Sequence, residues 1–213
     1  MILSFLRTLA FFNLLVSYID CRREETRIDT DVMYEEHQDI YRAFNITDFY
    51  WLYGFNFDSR HTEGKRCVYF TTENLYEDKM YYASNFIKNS SWGKIEYNGT
   101  FYSTPVMHHT REQKRNVYNS LRASTRSGQW IVMNYTLIYS DYTLCSFFRV
   151  LNIDDGQGCM ILLSNSTVRA GIPPGCSNLY ENACAKGHSH YLRTIYDNEC
   201  QPRPDNEDYK LYT

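Results

Sequence analysis

The sequence predicts an all-β protein: eight antiparallel strands close into a barrel, a short helix precedes them, and a second helix packs on the outside after them. Three observations predict it. Along most of the chain apolar side chains recur at every second residue, the strand period, and helical spacing is nearly absent. Asn- and Gly-rich clusters punctuate these runs: Asn89-Ser90-Ser91, Ser127-Gly128 and Asp154-Asp155-Gly156-Gln157-Gly158. Asn-x-Ser/Thr sites inside two of the runs fall on the polar face, where a glycan has to point.

Met1 to Tyr18 is apolar with one basic residue, Arg7, and reads as a cleavable signal peptide. Residues 1–21 are expected to be removed, with Cys21 as the small residue before the cut, and 22–213 to form one domain. No other apolar stretch approaches membrane length, so no membrane association is expected of the mature chain. Residues 35–44 place Ile40, Tyr41 and Phe44 on one side of a short helix. Residues 49–57 then put Phe49, Trp51, Tyr53, Phe55 and Phe57 on one face of the first strand. Further strands are expected at 65–71, 78–88, 94–103, 117–123, 130–139, 142–151 and 158–164, and a helix at 176–184. On 94–103, Asn98 shares a face with Lys94, Glu96 and Thr100, opposite Ile95, Tyr97 and Phe101. On 130–139, an outward Asn134 turns Ile131, Met133, Tyr135, Leu137 and Tyr139 inward.

Five such sites, at Asn45, Asn89, Asn98, Asn134 and Asn165, accompany six cysteines beyond the leader. Together they point to a secreted, extracellular glycoprotein. The cysteines, at 67, 145, 159, 176, 184 and 200, allow fifteen pairings, and spacing does not choose among them. There is no CxxC, and His188 and His190 lie at no familiar ligand spacing, so no metal is expected. Net charge is −3 with scattered basic residues, which gives nucleic acid nothing to bind. GxSxG, HExxH, P-loop and GxGxxG motifs are absent, and His108-His109 sit in a polar stretch facing opposite ways. Neither catalysis nor a cofactor is expected. The 20 Tyr, 12 Phe and 3 Trp suit a β core and a small-molecule pocket equally, so composition does not decide between them. A monomer is expected.

His37-Gln38-Asp39-Ile40-Tyr41, an aromatic strand, and then Arg66-Cys67-Val68 resemble the opening of the tick salivary lipocalins, the histamine-binding family. Tyr139-Ser140-Asp141 leading to Cys145, then Gly158-Cys159-Met160-Ile161-Leu162, is similar to that family's last hairpin. Ile172-Pro173-Pro174-Gly175-Cys176 and Ile195-Tyr196-Asp197-Asn198-Glu199-Cys200 resemble its helix entry and closing cysteine. The resemblance runs over nearly the whole mature chain. It implies a lipocalin barrel that sequesters a small host mediator during blood feeding, histamine or another biogenic amine first. It implies the pairs Cys67–Cys200 and Cys145–Cys176, and with them Cys159–Cys184.

If the hairpin sulfurs point outward, their neighbours Ser146, Phe148, Val150, Met160 and Leu162 point inward. An outward Cys67 likewise turns Arg66, Val68 and Phe70 inward, and Phe55 and Phe101 complete the candidate lining. Members that bind histamine carry acids in this pocket, but here Ser146 and Met160-Ile161-Leu162 stand in their places. Asp58, nine residues before Cys67, matches a remaining family acid, with His61 where the family shows Trp. Asp58 with Trp51, Tyr53, Tyr97 and Tyr135 would hold one ammonium by a charge-assisted hydrogen bond and cation–π contact. Met133, Phe148, Met160 and Leu162 suit an eicosanoid, fatty acid or sterol better, with Arg66 meeting a carboxylate. A host-protein scaffold, using loop 105–115 and tail 201–213, is the third reading.

Overall fold

The computed structural model describes residues 27–45, 49–59, 62–109, 111–129, 132–184 and 192–212. The expected leader, and with it His61, Ile131, His188 and His190, lies outside the described residues. The strands are β1 (Phe49–Phe55), β2 (Lys65–Leu75), β3 (Lys79–Lys88), β4 (Ser91–Tyr102), β5 (Val106–His108), β6 (Arg111–Gln113), β7 (Ser120–Thr125), β8 (Met133–Ser140), β9 (Cys145–Val150), β10 (Gly158–Ser164), β11 (Arg193–Thr194) and β12 (Lys210–Leu211). Eight of them form a closed antiparallel barrel in the order β1-β2-β3-β4-β7-β8-β9-β10, with β10 returning to β1. Closure leaves no free sheet edge around the ring. β5 and β6 make a separate small hairpin, which carries His108.

Residues 35–44 are not one helix. A 3-10 helix covers Val32–His37, and the α-helix α1 covers only Ile40–Phe44. The break comes from Gln38, whose buried amide donates to the Ile28 and Ile138 carbonyls at 2.8 and 2.9 Å. Asp39 then caps α1 by accepting from the Arg42 N–H at 3.0 Å. A second helix, α2 (Pro174–Cys184), lies outside the barrel.

The alternation of faces is interrupted by bulges, and these decide what reaches the interior. On β1 the register shifts between Leu52 and Gly54. Tyr50 and Leu52 therefore face the barrel core, Trp51 and Tyr53 face outward, and Phe55 and Phe57 face inward again. On β2 three steps, Arg66 to Tyr69, oppose two on β3, Ile87 to Asn85. Cys67 takes up the extra residue with a φ of 51°. A third shift on β8, between Leu137 and Tyr139, turns Tyr139 outward.

α1 plugs one end of the barrel, with Phe44 against Tyr50 and Phe148. The described residues of the β1–β2, β3–β4, β7–β8 and β9–β10 connections lie at the other end, the mouth. A second core lies outside the wall, where α2 and the C-terminal segment cover β1, β9 and β10. Disulfides Cys145–Cys176 and Cys159–Cys184 join β9 and β10 to α2, and Cys67–Cys200 joins β2 to the C-terminal segment. Arg149 is buried in this outer layer, donating to Asp29 at 2.9 Å and to the Ala183 carbonyl at 3.1 Å.

The C-terminal segment also completes the wall. β2 pairs with β1 only at Phe49–Trp51, and β11 takes the same edge at Gly54 and Phe55. β7 pairs with β4 from Tyr97 onward, and β12 takes that edge at Gly93 and Lys94, running parallel. Gly54 and Gly93 permit this. A Cβ at Gly54 would lie 2.6 Å from the Arg193 carbonyl oxygen, and one at Gly93 would lie 2.7 Å from the Tyr212 ring.

Candidate functional site

Among the described residues, two lobes that share Phe70, Tyr82, Tyr135 and Met160 in their lining lie in the barrel interior. The one nearer the mouth, of about 80 Å³, is bordered by Leu52, Phe55, Phe57, Ser59, Thr62, Lys65, Val68, Phe70, Tyr82, Ser84, Tyr97, Met133, Tyr135, Val150 and Met160. The deeper one, of about 40 Å³, is bordered by Phe44, Phe70, Tyr82, Leu121, Tyr135, Phe148, Met160 and Leu162. Pockets for drug-sized ligands run to roughly 300–1,000 Å³. A larger occupant therefore needs side chains to rotate. Met133 and Met160, unbranched and soft, are the residues best suited to that.

Cysteine parity worked where no bulge intervenes. Cys145 and Cys159 belong to the outer core, while Phe148, Val150, Met160 and Leu162 border the lobes. Phe55, Tyr97, Met133 and Tyr135 also border them. Ser146 and Phe101 face inward without bordering either lobe. Ser146 is engaged at the plugged end, 2.8 Å from the Ser140 hydroxyl.

Four candidates lie elsewhere. Asp58 is a solvent residue: its side chain is 89% exposed and accepts from Arg193 at 3.4 Å. Trp51 faces the outer core, in edge-on and tilted contact with Phe49, Tyr69 and Tyr196, and its indole N–H donates to Asn165 Oδ1 at 3.0 Å. Tyr53 lies on the same outer face beside Tyr196. Arg66, with its side chain 63% exposed, is 3.9 Å from Asp197. For Trp51 and Tyr53 the expected single face ends at the β1 bulge. For Arg66 the bulge at Cys67 reverses parity and turns Lys65 inward instead.

Sequence reading missed Tyr82, which borders both lobes, and, among the described residues, the one lysine of the lining, Lys65. It borders the upper lobe, with Nζ 4.1 Å from the centroid of Phe86, an interior ring. Burial, and secondarily Lys88, push its pKa down to about 8. Lys88 pairs with Lys65 across β2 and β3 and so lies on the same face. No sequence signal marks the bulge that brings Lys65 in.

Tyr82, Tyr97 and Tyr135 form the aromatic middle, with Tyr82 and Tyr97 stacked at 5.0 Å. Burial raises all three pKa values, Tyr135 to about 12, so each stays a neutral hydroxyl at physiological pH. Among the described residues no carboxylate borders either lobe. The sulfurs of the Cys67–Cys200 and Cys145–Cys176 bridges have Asp197 and Asp141 beside them, but their thiols are spent in disulfides.

The loop and tail named for a host-protein contact are anchored to the fold but otherwise largely exposed among the described residues. Arg115 is buried, donating to Gln38 at 2.6 Å and to the Asp29 carbonyl at 2.7 Å. The tail supplies β12, and the Tyr212 ring packs at a tilt against Phe86, centroids 5.3 Å apart.

A family model described as tick histamine binding protein matches residues 28–202. Among solved structures, the chain is similar to insecticyanin from the tobacco hornworm Manduca sexta, at 10% identity and TM-score 0.56, over 83% of this chain and 88% of that one. It is similar to lobster apocrustacyanin A1 at 11% identity and TM-score 0.49, over 74% of this chain and 80% of that one. A further similar structure is japanin from Rhipicephalus appendiculatus, solved bound to cholesterol, at 12% identity and TM-score 0.47, over 75% of this chain and 98% of that one. No curated protein sequence matches the chain.

Proposed function

The chain belongs to the tick histamine-binding protein family, and from that premise we propose that it is a secreted scavenger of a small host mediator, held inside the barrel. The ligand is mainly apolar, of the fatty acid, eicosanoid or sterol kind, rather than histamine. The observation that carries this choice is the lining: aromatic rings, aliphatics and two methionines, with no carboxylate among the described residues. An ammonium loses its hydration on entering such a space and finds no counter-charge there. Cation–π contact with Tyr82, Tyr97 or Tyr135 offsets only part of that cost, about 0.5–2 kcal/mol.

Secretion is supported by the disulfides and by the sequons. Asn45, Asn89, Asn98 and Asn165 are exposed and Asn134 is half-buried. We place the signal peptide at 1–21 and the mature domain at 22–213, acting as a monomer. Intact-mass analysis of protein secreted by eukaryotic cells checks the cut and the glycans.

Calorimetry and native mass spectrometry test the ligand class. Oleate, arachidonate and cholesterol are expected to bind in the micromolar range or better, and histamine and serotonin only weakly. Micromolar histamine binding with no lipid binding would overturn the proposal.

A further inference from the structure

We infer that the ligand carries a neutral oxygen, a hydroxyl or a carbonyl, part-way along its apolar skeleton, and that Tyr82, Tyr97 and Tyr135 hydrogen-bond it where the two lobes adjoin. This rests on the apolar-ligand reading and names the polar group that such a ligand bears.

Strand pairing brings the three tyrosines together. Tyr82 on β3 lies opposite Tyr97 on β4, and their rings stack with centroids 5.0 Å apart. Tyr135 on β8 borders both lobes, as Tyr82 does, and Tyr97 borders the upper one. Interior tyrosines at the plugged end are satisfied by the protein: Tyr50 donates to the Ala43 carbonyl at 2.9 Å and Tyr142 to the Glu36 carbonyl at 2.7 Å. None of the three hydroxyls in the middle has a hydrogen-bond partner among the described residues, yet none is walled in as the unpartnered Tyr180 hydroxyl is. They therefore open onto the cavity. Burial raises the pKa of each, and Tyr135 adds to the rise at Tyr82 and Tyr97, as expected of hydroxyls that share one space.

The rest of the lining fixes where the oxygen falls. Beyond Tyr82 and Tyr135 the deeper lobe is bordered by Phe44, Phe70, Leu121, Phe148, Met160 and Leu162, all apolar. On the mouth side of the triad, Leu52, Phe55, Val68, Met133 and Val150 border the upper lobe. A ligand spanning both lobes thus has an apolar segment on either side of the three hydroxyls. A plain hydrocarbon chain in that place strips water from them and returns no hydrogen bond, which leaves buried donors unsatisfied. A carboxylate there gives up more hydration than neutral hydroxyls restore. A hydroxyl or carbonyl oxygen replaces the lost bonds without bringing a charge inside.

The test compares oleate with ricinoleate, which differ by one hydroxyl part-way along the chain. Each displaces a fluorescent reporter from the folded, disulfide-intact protein. The wild type is expected to bind ricinoleate more tightly by about tenfold or more, because a site built to hydrogen-bond a hydroxyl rejects the analogue that lacks it. Tyr135→Phe should narrow the difference. In the triple variant Tyr82→Phe/Tyr97→Phe/Tyr135→Phe the preference should reverse, oleate gaining affinity and ricinoleate losing it. Since the protein itself makes no use of these hydroxyls, the triple variant should unfold at the same urea concentration as the wild type. A clear drop in that midpoint would show that the hydroxyls serve the fold and overturn the assignment. So would a preference for ricinoleate that survives in the triple variant. Equal binding of the two chains by the wild type overturns the oxygen site and leaves apolar sequestration standing, whereas binding of neither overturns the underlying reading as well.

Discussion

Single residues decide which ligands this barrel accepts, and position outweighs identity. Asp58 is an acid near aromatic residues in sequence but points into water. Asp58→Asn is therefore expected to leave the affinity for any interior ligand within about twofold, measured by calorimetry. Arg149 is the opposite case, an almost fully buried cation paired with the buried Asp29. Removing one partner of a buried pair typically costs about 3–5 kcal/mol. Arg149→Met should lower unfolding stability by that order in a urea titration. Burial alone would raise the pKa of Asp29, but Arg149 and Arg27 outweigh it and hold the carboxyl below its ordinary value. Its contribution is thus complete above about pH 4 and is lost as pH falls through the lowered native value. Asp29→Asn should flatten the acid limb of stability against pH and leave the neutral region's slope unchanged. Ser146, Phe148, Met160 and Leu162 were legible because a neighbouring cysteine reports the outer face. Lys65 was not, since its orientation follows from a backbone conformation at Cys67 that no residue type announces.

At the scale of elements, the barrel strands were legible and their irregularities were not. Apolar alternation sets strand identity, but a bulge inserts one residue and reverses the count. β1 illustrates the cost: a single face was expected from Phe49 to Phe57, and the shift beside Gly54 splits it into outward Trp51 and inward Phe55. Gly54 carried a signal in retrospect, since a glycine inside a strand pattern often marks a bulge or close backbone approach. Here it marks both. Gly54→Val is expected to displace β11 and release the Ile195 and Tyr196 amides, which donate to the Tyr53 carbonyl. Hydrogen exchange at those two amides should accelerate at least tenfold, with the β3–β4 amides unaffected. The N-terminal helix was misread for a related reason: Gln38 looks like a helix former but buries its amide against two carbonyls from other segments. Tertiary satisfaction of a polar side chain overrode local propensity.

For the whole molecule, the barrel and its outer layer were legible together through the cysteine order and the family resemblance. The role of the last twenty residues was not, because two-residue strands carry no periodic signal. The Cys67–Cys200 bridge spans 133 residues of chain. In the chain-entropy account such a loop contributes about 4–5 kcal/mol. The double variant Cys67→Ser/Cys200→Ser is expected to lose a few kcal/mol of unfolding free energy and to detach β11 and β12 from the wall. These two short strands fill the seams on either side of β2, β3 and β4. The order of synthesis follows from that placement. All eight staves are made by Ser164, yet the joint between β1 and β2 stays open until Arg193 and Thr194 have been made, and the joint between β4 and β7 until Lys210 and Leu211 have. Until synthesis is nearly finished the barrel is therefore a leaking cask, and the hoop is the last part to arrive.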